Sequence, residues 1–282
     1  MPVINTNINA QYSQDALKVN AKAMGNVMQQ LATGSRINAA KDDAAGLSIT
    51  QNMTSQIRGL NQAVRNVNDG INLLQTSDGA LVETANMLQR MRELAVQSSN
   101  GVNSISQRKY LDQEFKSLQE EINRIASNTS WNNMTLVNGS GAAATTAMTF
   151  VFQAGISAGQ TISINIEPMN TSALGVAATG ATGISIANFT AAQSAITAID
   201  VAIENVSLSR SAMGATMNQL SYSADNMVNI STNIGASRST ILDTDYATAS
   251  AQLAKNQIIS QAATAMLAQA NQQPQSVLTL LK

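Results

Sequence analysis

Apolar side chains recur at alternating spacings of four and three over residues 53–88. This spacing keeps one narrow stripe of a helix turned towards a partner and is typical of a coiled-coil seam. Asp78 alone is polar within it. The pattern predicts partner helices, and it fits the core of a helical bundle as well as an assembly surface. The seam positions are Met53, Ile57, Leu60, Val64, Val67, Ile71, Leu74, Asp78, Leu81, Ala85 and Leu88.

Three other segments repeat the pattern. The longest runs over residues 196–234, and Arg210 and Ser231 interrupt it. Prolines occur only at positions 2, 168 and 274, which permits long helices in the first half of the chain. The two shorter seams are Leu17, Ala21, Met24, Met28 and Leu31, and then Leu111, Phe115, Leu118, Ile122 and Ile125.

The middle of the chain has a different composition. Glu167 is the only charged residue between Arg124 and Asp200. Residues 161–166 alternate polar and apolar side chains, as a half-buried strand does, and residues 148–152 do likewise. We therefore predict a hairpin near 148–168, followed by a loop over 174–190 that is rich in Gly, Ala and Thr. The predicted fold is mainly α, a long antiparallel coiled-coil helical bundle with a small β-hairpin region in the middle of the chain.

The two ends of the chain, 1–40 and 243–282, are amphipathic but poor in large apolar side chains. The C-terminal stripe of Ile259, Ala263, Met266 and Ala270 is half alanine. Isolated helices of this kind are marginal in water. We expect each end to be ordered only where it meets the other end or a neighbouring copy.

Composition excludes several classes of function. The chain of 282 residues has no Cys and no His, so disulfides, thiolate nucleophiles, imidazole bases and Cys/His metal sites are excluded. We predict no enzyme activity, no cofactor and no metal. A balance of 16 basic and 17 acidic residues supplies no basic field for nucleic acid. No apolar run reaches the length of a membrane span, and the N-terminus lacks the pattern of a cleavable signal peptide.

The adjacent carboxylates of Asp42 and Asp43 are a candidate acid/base pair. Nothing near them in the sequence supplies a nucleophile or a metal ligand. We interpret them as residues that begin the helix containing Met53, because a carboxylate at a helix N-terminus accepts hydrogen bonds from free backbone amides.

Four sequence blocks carry a family resemblance. LATGSRIN at 31–38 continues into KDDAAGL at 41–47, and QRMRELAVQ follows at 89–97. Near the C-terminus stand DTDYAT at 243–248 and LAQANQQP at 267–274. These blocks are long and occur in order, and the chain resembles bacterial flagellin in a short form without large inserted outer domains.

The resemblance implies a domain organisation and a set of partners. Residues 1–40 plus 243–282 would pair as an inner terminal coiled-coil domain, and 41–242 would form an outer helical domain. The subunit would leave the cell unfolded through the flagellar type III apparatus and assemble with other copies of itself into an extracellular filament. The implied partners also include a flagellar export chaperone, which would bind the apolar C-terminal end, and the filament cap and hook-junction proteins.

The resemblance also implies recognition by host Toll-like receptor 5. Gln89, Arg90, Leu94, Gln97 and Glu114 match the flagellin patch that this receptor binds. Arg90 and Leu94 are one turn apart on a predicted helix, so we expect them on one face. Without the resemblance, a solvated helix surface or a contact between subunits explains these residues better.

Two classes of function remain open. One is a self-assembling filament subunit. The other is a secreted helical adaptor of the hook–filament junction type, similar at its ends but not polymerising in bulk. The match at both ends of the chain and the long central seam favour the first.

Overall fold

A computed structural model of the chain describes residues 6–139, 146–177 and 183–279, and side chains as far as residue 272. Part of the predicted loop, 178–182, and the last three residues of the predicted C-terminal end lie outside the described residues. The elements in chain order are α1 (Ile8–Thr33), α2 (Ala44–Ser98), α3 (Ile105–Asn128), β1 (Ser130–Trp131), β2 (Met134–Thr135), β3 (Met148–Gln153), β4 (Thr161–Ile166), α4 (Phe189–Leu242) and α5 (Tyr246–Thr279).

The predicted fold class is confirmed. Long helices dominate, and two short antiparallel strand pairs, β1 with β2 and β3 with β4, lie in the middle of the chain. None of the helices in the described ranges is both long and apolar enough to cross a membrane.

The chain divides into two compact units. One comprises residues 1–57 and 232–282, and the other comprises 58–231. The division expected from the family resemblance, at 40/41 and 242/243, concerns the domains of an assembled filament and stays a prediction.

In the unit of residues 58–231, helix α2 buries a strict seven-residue ladder. Val67, Leu74, Leu81 and Leu88 are fully buried, and Leu60 is nearly so. The seam predicted from the sequence contains this ladder. The structure shows a second row of buried positions on α2, and most of its side chains are small or polar. The apolar pattern of the sequence does not reveal this row. Its residues are Ala63, Ser77, Thr84, Met91 and Ser98.

Helix α4 supplies the matching apolar surface. Its buried residues also recur every seven positions, at Ala192, Ile199, Val206, Met213, Leu220 and Met227. Sustained seven-residue periods in both helices are the pattern of coiled-coil packing. The predicted seam of α4 is confirmed at Ile199, Val206, Met213, Leu220 and Met227. Its alternate positions Ile196, Ile203 and Met217 are only half-buried.

The β3–β4 hairpin packs against glycines of α2. A Cβ placed on Gly70 would lie 2.9 Å from Cδ1 of Phe152, and one on Gly59 would lie 2.9 Å from Cγ2 of Ile156. Each glycine is thus a notch that receives a hairpin side chain. Strand β4 buries Ile164 and Ile166 in the predicted alternation.

Helix α3 differs from its predicted pattern. The buried stripe is Asp112, Phe115, Gln119, Ile122 and Ala126, whereas Leu111, Leu118 and Ile125 are only half-buried. The prediction selected the adjacent face of the helix, because the face that is buried carries two polar residues, Asp112 and Gln119. Both residues form hydrogen bonds to the segment of residues 176–186, which leads into α4.

Asp112 accepts hydrogen bonds at Oδ1 from the backbone amide of Ile186 and from the Ser185 hydroxyl, both at 2.8 Å, while Lys116 lies 2.7 Å from its other oxygen. Gln119 donates to the carbonyls of Val176 at 2.7 Å and Ile184 at 3.2 Å. Burial raises the pKa of the Asp112 carboxyl, but the three partners together outweigh burial and hold that pKa below its ordinary value. The carboxylate therefore remains ionised and tied to the 184–186 backbone.

In the unit of residues 1–57 and 232–282, the two ends of the chain pair as α1 and α5. Asn7 donates to the Ala270 carbonyl and Asn20 to the Asn256 carbonyl, each at 2.8 Å. The expectation that the ends meet is confirmed.

The stripes predicted for these two helices are partly wrong. On α1, Met28 of the predicted seam is 52% exposed, and Asn20 is buried in its place. On α5, Met266 is 66% exposed and Asn256 is buried. A buried asparagine, Asn20, that binds a backbone carbonyl is part of the contact here, and a search for large apolar residues misses it.

Candidate functional site

Two surfaces, one in each unit, gather the sequence blocks that suggested function. The first lies where α1 ends and α5 begins. Gly34 ends α1 in the left-handed conformation, with φ +71°, and its amide donates to the Gln30 carbonyl at 2.9 Å. A glycine suits this position because left-handed backbone costs it no steric penalty.

Beyond Gly34 the two terminal blocks bind each other through their backbones. The Arg36 amide donates to the Leu242 carbonyl at 2.6 Å, and the Thr244 amide donates to the Gly34 carbonyl at 2.9 Å. Ser35 and Asp243 are thereby paired as an antiparallel β-bridge. Neither block predicted this pairing, because a single bridge has no periodicity for a pattern to show.

Side chains reinforce the bridge. The Arg36 guanidinium donates to the Ile241 carbonyl at 2.8 Å, and the Tyr246 hydroxyl donates to the Leu31 carbonyl at 3.0 Å. Tyr246 therefore satisfies a carbonyl in the last turn of α1, where helical partners are missing. The LATGSRIN and DTDYAT blocks are thus two halves of one structural joint.

Capping accounts for the acidic pair. Asp43 precedes α2, and its Oδ1 accepts a hydrogen bond from the Gly46 amide at 2.8 Å. Oδ2 of Asp42 accepts from the amides of Asn38 and Ala39 at 3.2 Å and 3.0 Å. The interpretation as a residue that begins α2 is confirmed for Asp43, whereas Asp42 instead binds the loop amides that precede the helix. Hydrogen bonds from Thr248 and from the amides of Thr248 and Ala247 likewise lower the pKa of Asp245, at the start of α5.

The second surface is an exposed charged patch on α2 and α3, which we call the Arg90 patch: Gln89, Arg90, Gln97 and Glu114. All four residues are exposed. The Arg90 guanidinium donates through Nη1 to Glu93 at 2.8 Å and through Nη2 to Glu114 at 2.9 Å. These hydrogen bonds raise the pKa of Arg90. The structure therefore brings Arg90 and Glu114, 24 positions apart in the chain, into direct contact.

Leu94, the fifth residue of the predicted receptor site, lies elsewhere. Its side chain is 1% exposed, next to the buried Met91 and Ala95. The expectation that Arg90 and Leu94 present one common surface is wrong in this structure. Residues one turn apart share a side of a helix, but Leu94 lies inside the boundary of the core and Arg90 lies outside it.

An ion pair of the same type lies beside the patch. Nε of Arg92 is 2.6 Å from Oδ1 of Asp200 on α4, and both side chains are about half exposed. The hydrogen bond that Arg92 donates to Asp200 raises the pKa of Arg92. Sequence reasoning did not join these residues, which are 108 positions apart.

Paired helical ends, two long helices with seven-residue buried repeats and polar surface patches are features of a helical structural subunit. The comparisons with known proteins specify the family. The family model described as "Bacterial flagellin N-terminal helical region" matches residues 4–142. The model described as "Bacterial flagellin C-terminal helical region" matches residues 196–281. The chain belongs to the bacterial flagellin family, a family of structural proteins and not of enzymes.

Curated relatives match along the whole chain. Flagellin of Halalkalibacterium halodurans is 43% identical over 280 residues, covering 99% of this chain and 100% of the relative. A flagellar filament core protein of Brachyspira hyodysenteriae is 41% identical over 286 residues, with 99% and 100% covered. Flagellin of Bacillus subtilis is 39% identical over 302 residues, with 99% of each chain covered.

Solved structures share the fold. The crystal structure of Bacillus cereus flagellin is 29% identical, with a TM-score of 0.50, and the match covers 58% of this chain and 88% of that one. A putative flagellar hook-associated protein from Vibrio parahaemolyticus has a TM-score of 0.59 at 14% identity, covering 72% of this chain and all of that one. The second likeness concerns the fold alone.

Proposed function

We propose that this chain is the repeating subunit of a bacterial flagellar filament that serves motility outside the cell. One observation carries the proposal. After α1 and α5 have paired, large apolar side chains remain largely exposed on both helices: Tyr12 at 73%, Val19 at 71%, Ile258 at 66% and Met266 at 66%. Apolar surface left uncovered on a soluble chain marks an interaction site.

Other copies of the same chain are the partners that fit this surface. Both helices present it, and the chain carries a net charge of only −1, so copies meet with little electrostatic repulsion. In this proposal residues 1–40 plus 243–282 form the inner coiled-coil domain of the filament and 41–242 form the outer domain. The relatives described as flagellar filament core proteins support the role in a filament.

Export and assembly partners follow from the same family membership. The subunit leaves the cell unfolded through the flagellar type III apparatus. The exposed apolar residues of α5 supply a binding surface for an export chaperone before export. The filament cap and the hook-junction proteins contact the ends during assembly. The weak apolar content of α1 and α5 supports this route, because such helices unfold at little cost.

We also propose that host Toll-like receptor 5 binds the Arg90 patch. Arg90 is held between Glu93 and Glu114, so its guanidinium is oriented before a partner arrives, which limits the entropy lost on binding. Gln89 and Gln97 contribute polar contacts on the same helix. Leu94 contributes from beneath, because its buried side chain fixes the turn that presents Arg90.

Assembly is tested with the purified full chain. After addition of ammonium sulfate, which favours burial of apolar surface, electron microscopy should show long filaments. A chain that stays monomeric under these conditions would favour a hook–filament junction adaptor instead.

The role of the exposed apolar face is tested with the double variant Ile258→Ala and Met266→Ala. Both side chains are 66% exposed, so their removal should leave the circular dichroism and melting temperature of the monomer unchanged. The variant should form few or no filaments. Deletion of residues 263–282 should have the same effect while most helical signal remains. Filaments of normal length and yield from both variants would contradict the proposal.

A further inference from the structure

The connection between α2 and α3 contains an Asn-Gly pair, Asn100 and Gly101, and both residues are exposed to solvent. The connection is nevertheless ordered by hydrogen bonds. The Asn103 amide donates to the Asn100 carbonyl at 3.2 Å, and the Asn100 amide donates to the Gln97 carbonyl at 3.2 Å. An accessible asparagine is therefore held in one conformation before a glycine.

We propose that Asn100 is a site of spontaneous deamidation, in which the protein's own backbone and water convert the side-chain amide into a carboxylate. The proposal concerns covalent ageing of the chain and does not depend on filament assembly or receptor binding. Three features of the connection support it.

The first feature is the orientation of the Asn100 side chain. Its Oδ1 accepts a hydrogen bond from the Val102 amide at 3.2 Å, which closes an Asx turn. The closed ring contains both Cγ of Asn100 and the backbone nitrogen of Gly101, so the electrophile and the nucleophile are confined together. Confinement of two reacting groups lowers the entropic part of a barrier.

The second feature is the stabilisation of developing charge. When a nucleophile adds to Cγ, negative charge develops on Oδ1. The Val102 amide already points at this oxygen and acts there as an oxyanion-hole donor does.

The third feature is the freedom of the nucleophile. In the part of the chain that the structure describes, no acceptor receives the Gly101 amide hydrogen. A Cβ built on Gly101 would have no atom within 4 Å, so the approach to its nitrogen is open. Glycine also brings no side chain of its own to crowd the ring.

The reaction balances with water as the only co-reactant. The Gly101 nitrogen loses its proton to solvent and forms a bond to Cγ of Asn100. The Cγ–Nδ2 bond then breaks and ammonia leaves, which gives a succinimide. Water adds to one of the two imide carbonyls and opens the ring, so the product is either aspartate or isoaspartate at position 100.

The surroundings favour a carboxylate at this position. Nη2 of Arg108 donates to the Asn100 carbonyl at 3.1 Å, and the buried Nε of Arg108 has no hydrogen-bond partner in the structure. An aspartate at position 100 would bring a negative charge beside this guanidinium. An isoaspartate would instead lengthen the main chain and weaken the turn that Asn103 closes.

A second Asn-Gly pair, Asn138 and Gly139, provides an internal comparison. The Asn138 carbonyl accepts a hydrogen bond from the Asn170 side chain at 3.0 Å, both residues of the pair are half-buried, and Gly139 has φ +82°. Asn138 is therefore less accessible to solvent than Asn100.

The experiment incubates the full-length folded protein in buffer at mildly alkaline pH and measures conversion at each asparagine by peptide mapping and isoaspartate detection. The same chain in urea is the reference. We expect Asn100 to convert faster than Asn138 in the folded protein, and at least as fast folded as in urea. Gly101→Ala, whose new methyl group meets no neighbour, should slow conversion several-fold without changing the melting temperature.

Protection of Asn100 by folding, seen as slower conversion in the native protein than in urea, would overturn the proposal. Conversion at Asn100 no faster than at Asn138 would also overturn it, as would an unchanged rate in Gly101→Ala.

Discussion

Nε of Arg210 donates a hydrogen bond to Oδ1 of Asp78 at 2.8 Å. Asp78 is the polar interruption of the α2 seam, and Arg210 is one of the two in the α4 seam. Their side chains are 40% and 30% exposed. Apolar side chains in a seam still pack when one helix slides along the other. The two members of an ion pair, in contrast, are in contact at only one axial position of the helices. The pair therefore specifies the register of α2 against α4.

A double-mutant cycle should detect this coupling. We expect Asp78→Ala and Arg210→Ala each to lower the free energy of unfolding by about 1 kcal/mol, and the double variant to cost little more than either, because the second change removes a charge already without its partner. Urea titration measures all three. The Arg92–Asp200 pair joins the same helices at a more exposed place and should couple by less than about 0.5 kcal/mol. Equal coupling at the two sites, or additive costs at Asp78 and Arg210, would contradict a register role.

Gly70 and Gly79 form a matched pair of substitutions in α2. A methyl group at Gly70 would enter the space of the Phe152 ring, so Gly70→Ala should destabilise the chain by about 1–2 kcal/mol. No atom lies within 4 Å of a Cβ at Gly79, so Gly79→Ala should stabilise the helix by about 0.5–1 kcal/mol. Thermal unfolding followed by circular dichroism checks both signs. Stabilisation by both variants would show that the hairpin does not need the Gly70 notch.

The buried carboxylate of Asp112 should make stability depend on pH. Its folded pKa is lowered, so the unfolded chain binds the proton more readily. The stabilisation is then fully present above the ordinary aspartate pKa of about 3.9 and is lost as pH falls through the lower folded pKa. In Asp112→Asn, which keeps an oxygen acceptor but cannot ionise, the free energy of unfolding should fall less steeply below about pH 4. Parallel curves for the two proteins would assign the acid response to other carboxylates.

Arg90 and Arg92 lie on the same helix, and we expect only Arg90 to be needed for receptor recognition. Arg90→Ala and Glu114→Ala should each leave folding stability nearly unchanged, since the pair is half exposed. At a receptor interface the loss of such an anchor costs about 2 kcal/mol or more. We therefore expect both variants to weaken Toll-like receptor 5 signalling by the monomer at matched concentration.

Arg92→Ala is the control for that measurement, because it also breaks an exposed ion pair of α2 but towards Asp200. It should leave signalling near the level of the unchanged protein. Intact filaments should signal less per subunit than monomer, since neighbouring copies would cover the patch. Unchanged signalling by Arg90→Ala and Glu114→Ala would show that the Arg90 patch is an ordinary solvent-exposed helix surface with no role in receptor binding.

The long central seams could be predicted because leucine and valine repeat there without competing signals. Leu74, Leu81, Ile199 and Val206 are all buried as the pattern predicts. The phase of α3 could not be predicted, because its buried stripe includes Asp112. A buried polar side chain is stable only when it has hydrogen-bond partners, and those partners lie 73 and 74 positions away on Ser185 and Ile186. The burial of Leu94 was missed for a related reason, since helix spacing gives neighbours on a face but not the edge of the core.

The helical class, the hairpin and the family could be predicted from the amino-acid sequence, because periodic apolar residues and long contiguous blocks are local properties of the chain. The pairing of Ser35 with Asp243, the ion pair of Asp78 with Arg210 and the contact of Arg90 with Glu114 became visible only in the folded structure. Each of these contacts joins residues that are distant in the chain and depends on direction and distance between single polar atoms. A one-dimensional pattern records neither, since the free energy of a hydrogen bond is set by geometry that exists only after the helices have packed.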